Sequence, residues 1–116
     1  MSTKQIADHH LQAFLAGDLD ETMKDYTDAS VFISANGIAH GREEIQAVFT
    51  RLFGSLFAPG TYTFTLDFEH TEDDVAYILW HADCAGAAIP IGTDTFVVRD
   101  GAIVTQTVAL KVEPKS

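Results

Sequence analysis

Five histidines, seventeen carboxylates and one cysteine hold most of the reactive chemistry in this 116-residue chain. His81 and Asp83 stand two residues apart on one expected strand, so their side chains share a face. Asp94 lies on the next expected strand. A histidine titrating near neutrality can accept a proton and a buried acid can donate one, so the three could form an acid–base set. Each also has a plainer reading. Asp94 can cap a bulge or hold a backbone amide, His81 and Asp83 can satisfy one another at a rim, and His10, close to Phe14, suits a packed core. His40 reads as a brace at a helix entry, and His9 and His70 as solvent-exposed. A metal held by His81, Asp83 and Asp94 is conceivable; no metal is assigned and no cofactor is implied. Cys84, on a strand without basic sequence neighbours, reads as structural.

Composition narrows the classes of function. Seven Lys and Arg against 17 Asp and Glu leave a net charge of −10. Such a surface repels phosphate, which speaks against nucleic-acid and anionic-membrane partners. The chain is 47% hydrophobic and 21% charged, as expected of a folded globular domain. One cysteine excludes an intramolecular disulfide framework. No apolar run is long enough to span a bilayer, and Met1 to Gln5 does not read as a signal segment. The expectation is one domain, residues 1–116, in the cytoplasm.

The elements that must position these groups come in two blocks. Ser2 and Gln5 form a capping box before a helix whose apolar positions are Ile6, Leu11, Phe14 and Leu15, ended by Gly17. Asp18 caps a second, short helix to about Tyr26. Ala29 to Ser34 reads as a strand, Ala35-Asn36-Gly37 as a turn, and Gly41 opens a third helix with Ile45, Val48, Phe49, Leu52, Phe53 and Leu56 on one face. After the Ala58-Pro59-Gly60 break all is β: Thr61–Thr71, with Tyr62, Phe64, Leu66 and Phe68 on one side, then Val75–Ala85, Thr93–Arg99 and Ala102–Val112. Asp100-Gly101 turns the last hairpin. Helices followed by an antiparallel meander make an α+β fold.

Three segments carry a family resemblance: Leu15-Ala16-Gly17-Asp18-Leu19-Asp20, Gly37 to Ile45, and Gly92 to Ile103. In them the chain resembles the NTF2-like (cystatin-like) superfamily, in the branch of SnoaL-like polyketide cyclases and ketosteroid isomerases. The resemblance implies a cone: three N-terminal helices packed in a curved, mainly antiparallel sheet that encloses a pocket. It sets Asp94 at the oxyanion aspartate of the isomerases and His10 at their tyrosine. Their catalytic base falls on Ile33 or Ser34, and no carboxylate stands there, so steroid isomerisation by that route is not expected.

The same register turns Asp94, Phe96 and Val98 inward, and with them Tyr77, Leu79, His81 and Asp83, then Gln106, Val108 and Leu110. Tyr26 joins this set as an aromatic pocket position. Asp94, His81 and Asp83 are therefore the catalytic candidates, and His10, Tyr26, Leu79, Phe96, Gln106 and Val108 the ligand-binding ones. Ile78, Trp80, Ala82, Thr95, Val97, Thr107 and Ala109 would form an outer face, through which the resemblance implies a homodimer. Two functions stay open. One is a cofactor-free isomerase, dehydratase or cyclase that moves protons next to a carbonyl of a small apolar molecule. The other is a ligand-binding or dimerisation module without chemistry.

Overall fold

Ser2 Oγ accepts from the backbone of Gln5 at 3.1 Å, and Gln5 Oε1 accepts from the backbone of Ser2 at 2.9 Å. This box starts α1 (Thr3–Leu15) in the computed structural model, which describes residues 1–116. Ile6, Ala7, His10 and Ala13 form the buried face of α1. Gly17 closes it with φ +66°; a side chain there would meet the Pro59 ring.

Asp18 caps α2 (Leu19–Met23) through its carboxylate and the backbone of Glu21, 3.0 Å apart. The helix stops three residues before the expected Tyr26. The Arg42 guanidinium takes the carbonyl oxygens of Met23 and Tyr26, which a longer helix would engage. Two short strands follow, β1 (Val31–Ser34) and β2 (Gly37–His40), and then α3 (Gly41–Phe53). Glu44 reaches back to the His40 backbone at 2.8 Å, so Glu44, not the His40 side chain, braces this entry.

The remaining strands are β3 (Tyr62–Glu72), β4 (Val75–Cys84), β5 (Ala87–Arg99) and β6 (Ala102–Pro114). They form one six-stranded sheet in the order β2-β1-β6-β5-β4-β3. All neighbours are antiparallel except β1 and β6, which run parallel. Register shifts occur in the β3–β4, β4–β5 and β5–β6 pairs. Such bulges bend and twist a sheet, and here it curls around the helices. α1 packs on β4 and β5, and α3 on β1 and β2, all on the concave side. The fold is α+β, as the order of elements predicts.

Two further expectations change. The shift between Leu66 and Phe68 leaves Leu66 opposite Trp80 but turns Phe68 toward the outer face with Leu79, 53% exposed. His9 is not a solvent-exposed bystander. Its Nε2 lies 2.7 Å from Glu21 and its Nδ1 2.7 Å from Asp25, so both ring nitrogens face carboxylates. These bonds raise the pKa of His9 and tie α1 to the chain around α2.

Candidate functional site

The concave face of the sheet and the inner faces of α1 and α3 enclose an apolar cavity. The space inside it that a water-sized molecule can occupy is about 70 Å³. Phe14 comes from α1, Phe49 and Leu52 from α3, Phe32 from β1, Phe64 from β3, and Phe96 from β5; Ile78, Val108 and Leu110 complete the walls. Four of the wall residues, Phe32, Leu52, Val108 and Leu110, also line a wider, open vestibule, whose edge carries Asn36, Glu44 and Arg51.

Polar groups in this region are few and connected. The Trp80 indole N–H donates to Asp94 Oδ1 at 2.9 Å. The Gln106 side-chain amide donates to Asp94 Oδ2 at 2.9 Å. Tyr26, just after α2, donates its hydroxyl to Gln106 Oε1, and its oxygen lies 3.2 Å from His10 Nδ1. The chain Trp80–Asp94–Gln106–Tyr26–His10 thus links β4, β5, β6, the α2–β1 segment and α1. All five residues are buried.

Burial sets the protonation of these groups. Removal from water pushes the Asp94 carboxyl up to about 6, against the opposing pull of the hydrogen bonds from Trp80 and Gln106. The same desolvation brings His10 down to about 3, with the nearby His9 adding to the effect, so the imidazole stays neutral. Tyr26 rises well above the usual phenol range, through burial first and the Asp94 charge second. The His10 ring is also held by aromatic neighbours, with Phe96 at 5.1 Å and Phe49 at 5.6 Å between centroids.

The structure sorts the candidates. Asp94, His10, Phe96, Gln106 and Val108 line the cavity. Tyr26 stands behind it, bonded to Gln106 and His10. Leu79, His81 and Asp83 do not face it. On β4 the inward residues are Ala76, Ile78, Trp80, Ala82 and Cys84, the reverse of the expected parity. His81 instead pairs with Asp67 at 2.7 Å and Asp83 with Lys115 at 2.7 Å, both pairs exposed. The physical reason is in the strand itself: Ile78, Trp80, Ala82 and Cys84 form the apolar alternate series, and a half-buried strand turns that series to the core. It also takes Ile78, Trp80 and Ala82 off the outer face. Trp80, the donor to Asp94, and the wall residue Ile78 are the site residues that the sequence reading placed on the wrong side. No group of three or more His, Cys, Asp or Glu side chains is arranged to hold a metal ion.

Cys84 packs in the core at 2% exposure, and desolvation raises its thiol pKa. Replacement by alanine is expected to leave binding of a hydrophobic dye within about twofold of wild type. A native chain whose thiol reacts quickly with an aromatic disulfide reagent would contradict this assignment.

A profile of the SnoaL-like domain matches residues 7–106. Among solved structures, an NTF2-like protein of unknown function from Mesorhizobium loti superposes with a TM-score of 0.78 at 20% identity, over 94% of this chain and 90% of that one. A candidate ketosteroid isomerase from Kribbella flavida gives 0.78 at 13%, over 94% and 77%. A candidate polyketide cyclase from Sinorhizobium meliloti gives 0.78 at 15%, over 90% and 94%. At these identities the likeness concerns the fold, and one fold hosts many chemistries. No curated protein sequence matches the chain.

Proposed function

The chain belongs to the SnoaL-like domain family, and from that premise we propose that it binds a small, largely apolar molecule and moves a proton next to a carbonyl of that molecule through Asp94, without a cofactor. The observation that carries this reading is a single carboxylate set among aromatic walls and poised at about 6. At neutral pH Asp94 is mostly ionised and can accept a proton; slightly below, it can return one. Its two protein donors leave further lone pairs on each oxygen for a ligand. The apolar walls would supply most of the affinity and the polar chain the orientation.

Binding without chemistry is a second reading with its own support: His81 and Asp83 face outward and His10 is held neutral, so Asp94 has no titrating partner at the cavity near neutral pH. One experiment separates the two. Deuterium exchange at the carbon next to the carbonyl of 2-tetralone, followed by proton NMR in heavy water, should be accelerated by the protein. Asp94→Asn should lose at least about a hundredfold of that acceleration, the usual range for one acid–base group. Saturable binding of 2-tetralone with no exchange above buffer would favour the binding module.

The reading takes residues 1–116 as one cytoplasmic domain, in keeping with one free thiol; no helix is long and apolar enough to cross a membrane. It also makes the protein a homodimer through the convex face. No helix covers that face, and its centre, built from Tyr77, Leu79, Thr93, Thr95, Val97 and Thr107, carries no charge on a chain of net charge −10. Two such chains repel one another least where that patch is shared. Val97→Glu is expected to halve the mass seen by light scattering; an unchanged mass would remove this interface.

A further inference from the structure

The direction of every hydrogen bond in the buried chain is linked. With Asp94 ionised, both of its bonded oxygens need donors. Trp80 can only donate. Gln106 therefore presents its NH₂ to Asp94 and its carbonyl oxygen to Tyr26. Tyr26 spends its one hydroxyl proton on that oxygen, so the contact to His10 requires His10 Nδ1 to carry the hydrogen. His10 Nε2 is then a bare acceptor. It bonds to no protein group, and the sole buried polar side-chain atom that is both sealed and unpartnered is Thr22 Oγ1. His10 Nε2 thus keeps access to the cavity that His10 lines.

Adding one proton to Asp94 reverses the chain. A proton on the oxygen facing Gln106 collides with the NH₂, and one turned toward the apolar walls is an unsatisfied donor costing about 1–3 kcal/mol. Gln106 resolves this by turning its amide half a turn, which exchanges O and N at nearly constant volume. Its NH₂ then points at Tyr26, Tyr26 donates to His10 Nδ1, and the hydrogen of His10 moves to Nε2.

We propose that Gln106 is a positioning residue that couples the proton on Asp94 to the tautomer of His10, so that the cavity presents an acceptor to hydroxyl ligands in one state and a donor to carbonyl ligands in the other. The two states differ by one proton exchanged with solvent. The titration of Asp94 at about 6 places the exchange between them close to neutrality. Two further titratable groups act on the chain: His9 lowers His10, and the Asp25 charge raises Tyr26. α3 contributes Phe49 and Leu52, β1 Phe32, β3 Phe64 and β6 Val108. His9 and Asp25 bond to each other behind α1, and Glu44 and Arg51 stand at the vestibule edge. The inference rests on the proposed function only in taking the cavity as the place where a ligand sits.

Nitrogen-15 NMR of the labelled protein reads the His10 tautomer directly. From about pH 8 to about pH 4.5 the wild type should pass from Nδ1–H to Nε2–H, with the midpoint of the Asp94 carboxyl. Asp94→Asn should show Nε2–H throughout, because an asparagine NH₂ facing Gln106 imposes the proton-loaded direction. In Gln106→Leu the tautomer should no longer follow pH. In parallel, the preference for 2-tetralone over 2-naphthol should rise about tenfold at the acid end, one hydrogen bond's worth. One tautomer across the range while Asp94 titrates, or Nδ1–H in Asp94→Asn, would overturn the coupling. If the tautomer changes and neither probe binds, the coupling stands and the ligand reading fails.

Discussion

Replacing Gly92 by alanine is expected to lower stability more than any other single-methyl addition in the sheet. Gly92 is the cross-strand partner of Trp80, and the indole folds across it. An alanine Cβ would sit 2.4 Å from both Cε2 and Cζ2 of that ring. The ring is held by two aromatic neighbours. Phe64 stacks on it at 5.1 Å and Phe57 meets it edge-on at 6.0 Å. Overpacking of this kind costs about 1–3 kcal/mol. Displacing the ring also breaks its bond to Asp94, worth about 1.5–3 kcal/mol when the acceptor is charged. A fall in melting temperature of roughly 10 °C or more should follow. Trp80 is the one tryptophan, so its fluorescence should change in the same variant. Gly86→Ala is the control, since a Cβ there meets open space. Equal melting temperatures for the two variants would show that the ring is free to move.

The second large effect is a dependence of stability on pH. Asp94 has a folded-state pKa of about 6 against 3.8 for an unhindered aspartate. Its folded-state value is raised, so the folded chain holds a proton that the unfolded chain has released. Stability from this group is therefore full below about pH 4 and is lost as the pH rises through about 6. A shift of about two units corresponds to about 3 kcal/mol. The raised His9 and Asp25 act in the same direction, whereas the lowered His10 and Glu21 act in the opposite one: burial keeps His10 neutral down to about 3, so its part is lost as the pH falls below the ordinary histidine value and offsets that of Asp94 in the overall curve. Subtracting the denaturant-derived stability of Asp94→Asn from that of wild type at each pH isolates the Asp94 part. A flat difference between about pH 4 and pH 7 would mean that Asp94 titrates like a surface carboxylate.

Local features were legible in the residues, and long-range ones were not. The Ser2 and Gln5 box and the spacing of Ile45 and Phe49 are contained within one or two helical turns, and they appear as expected. The bulge near Asp67 inverts the second half of β3 with one extra residue, and such an insertion has no composition of its own. The Ala87–Gly92 half of β5 was missed because alanine, proline and glycine are poor strand formers, and pairing with β4 and β6 overrides that preference. β4 is the instructive case. Its own alternation of Ile78, Trp80, Ala82 and Cys84 against Tyr77, Leu79, His81 and Asp83 states the correct parity. A register carried over from a resemblance overrode it. The Tyr26–Gln106 bond spans 80 residues, and no local pattern announces it.

The parallel pairing of β1 with β6 has a consequence for the order in which the molecule can be made. β6 follows the other five strands in sequence and lies in the interior of the sheet, between β1 and β5. Until it emerges from the ribosome, β1 has only β2 beside it, and one side of β5 is unpaired. The helices, β1 and β2 cannot be joined to the meander, because that junction is β6 itself. Contacts of such sequence separation slow the folding search and leave bare strand edges open to other chains while it lasts. The nascent domain should thus be most prone to aggregate just before β6 is synthesised, and it should gain protease resistance in a single step once β6 has emerged.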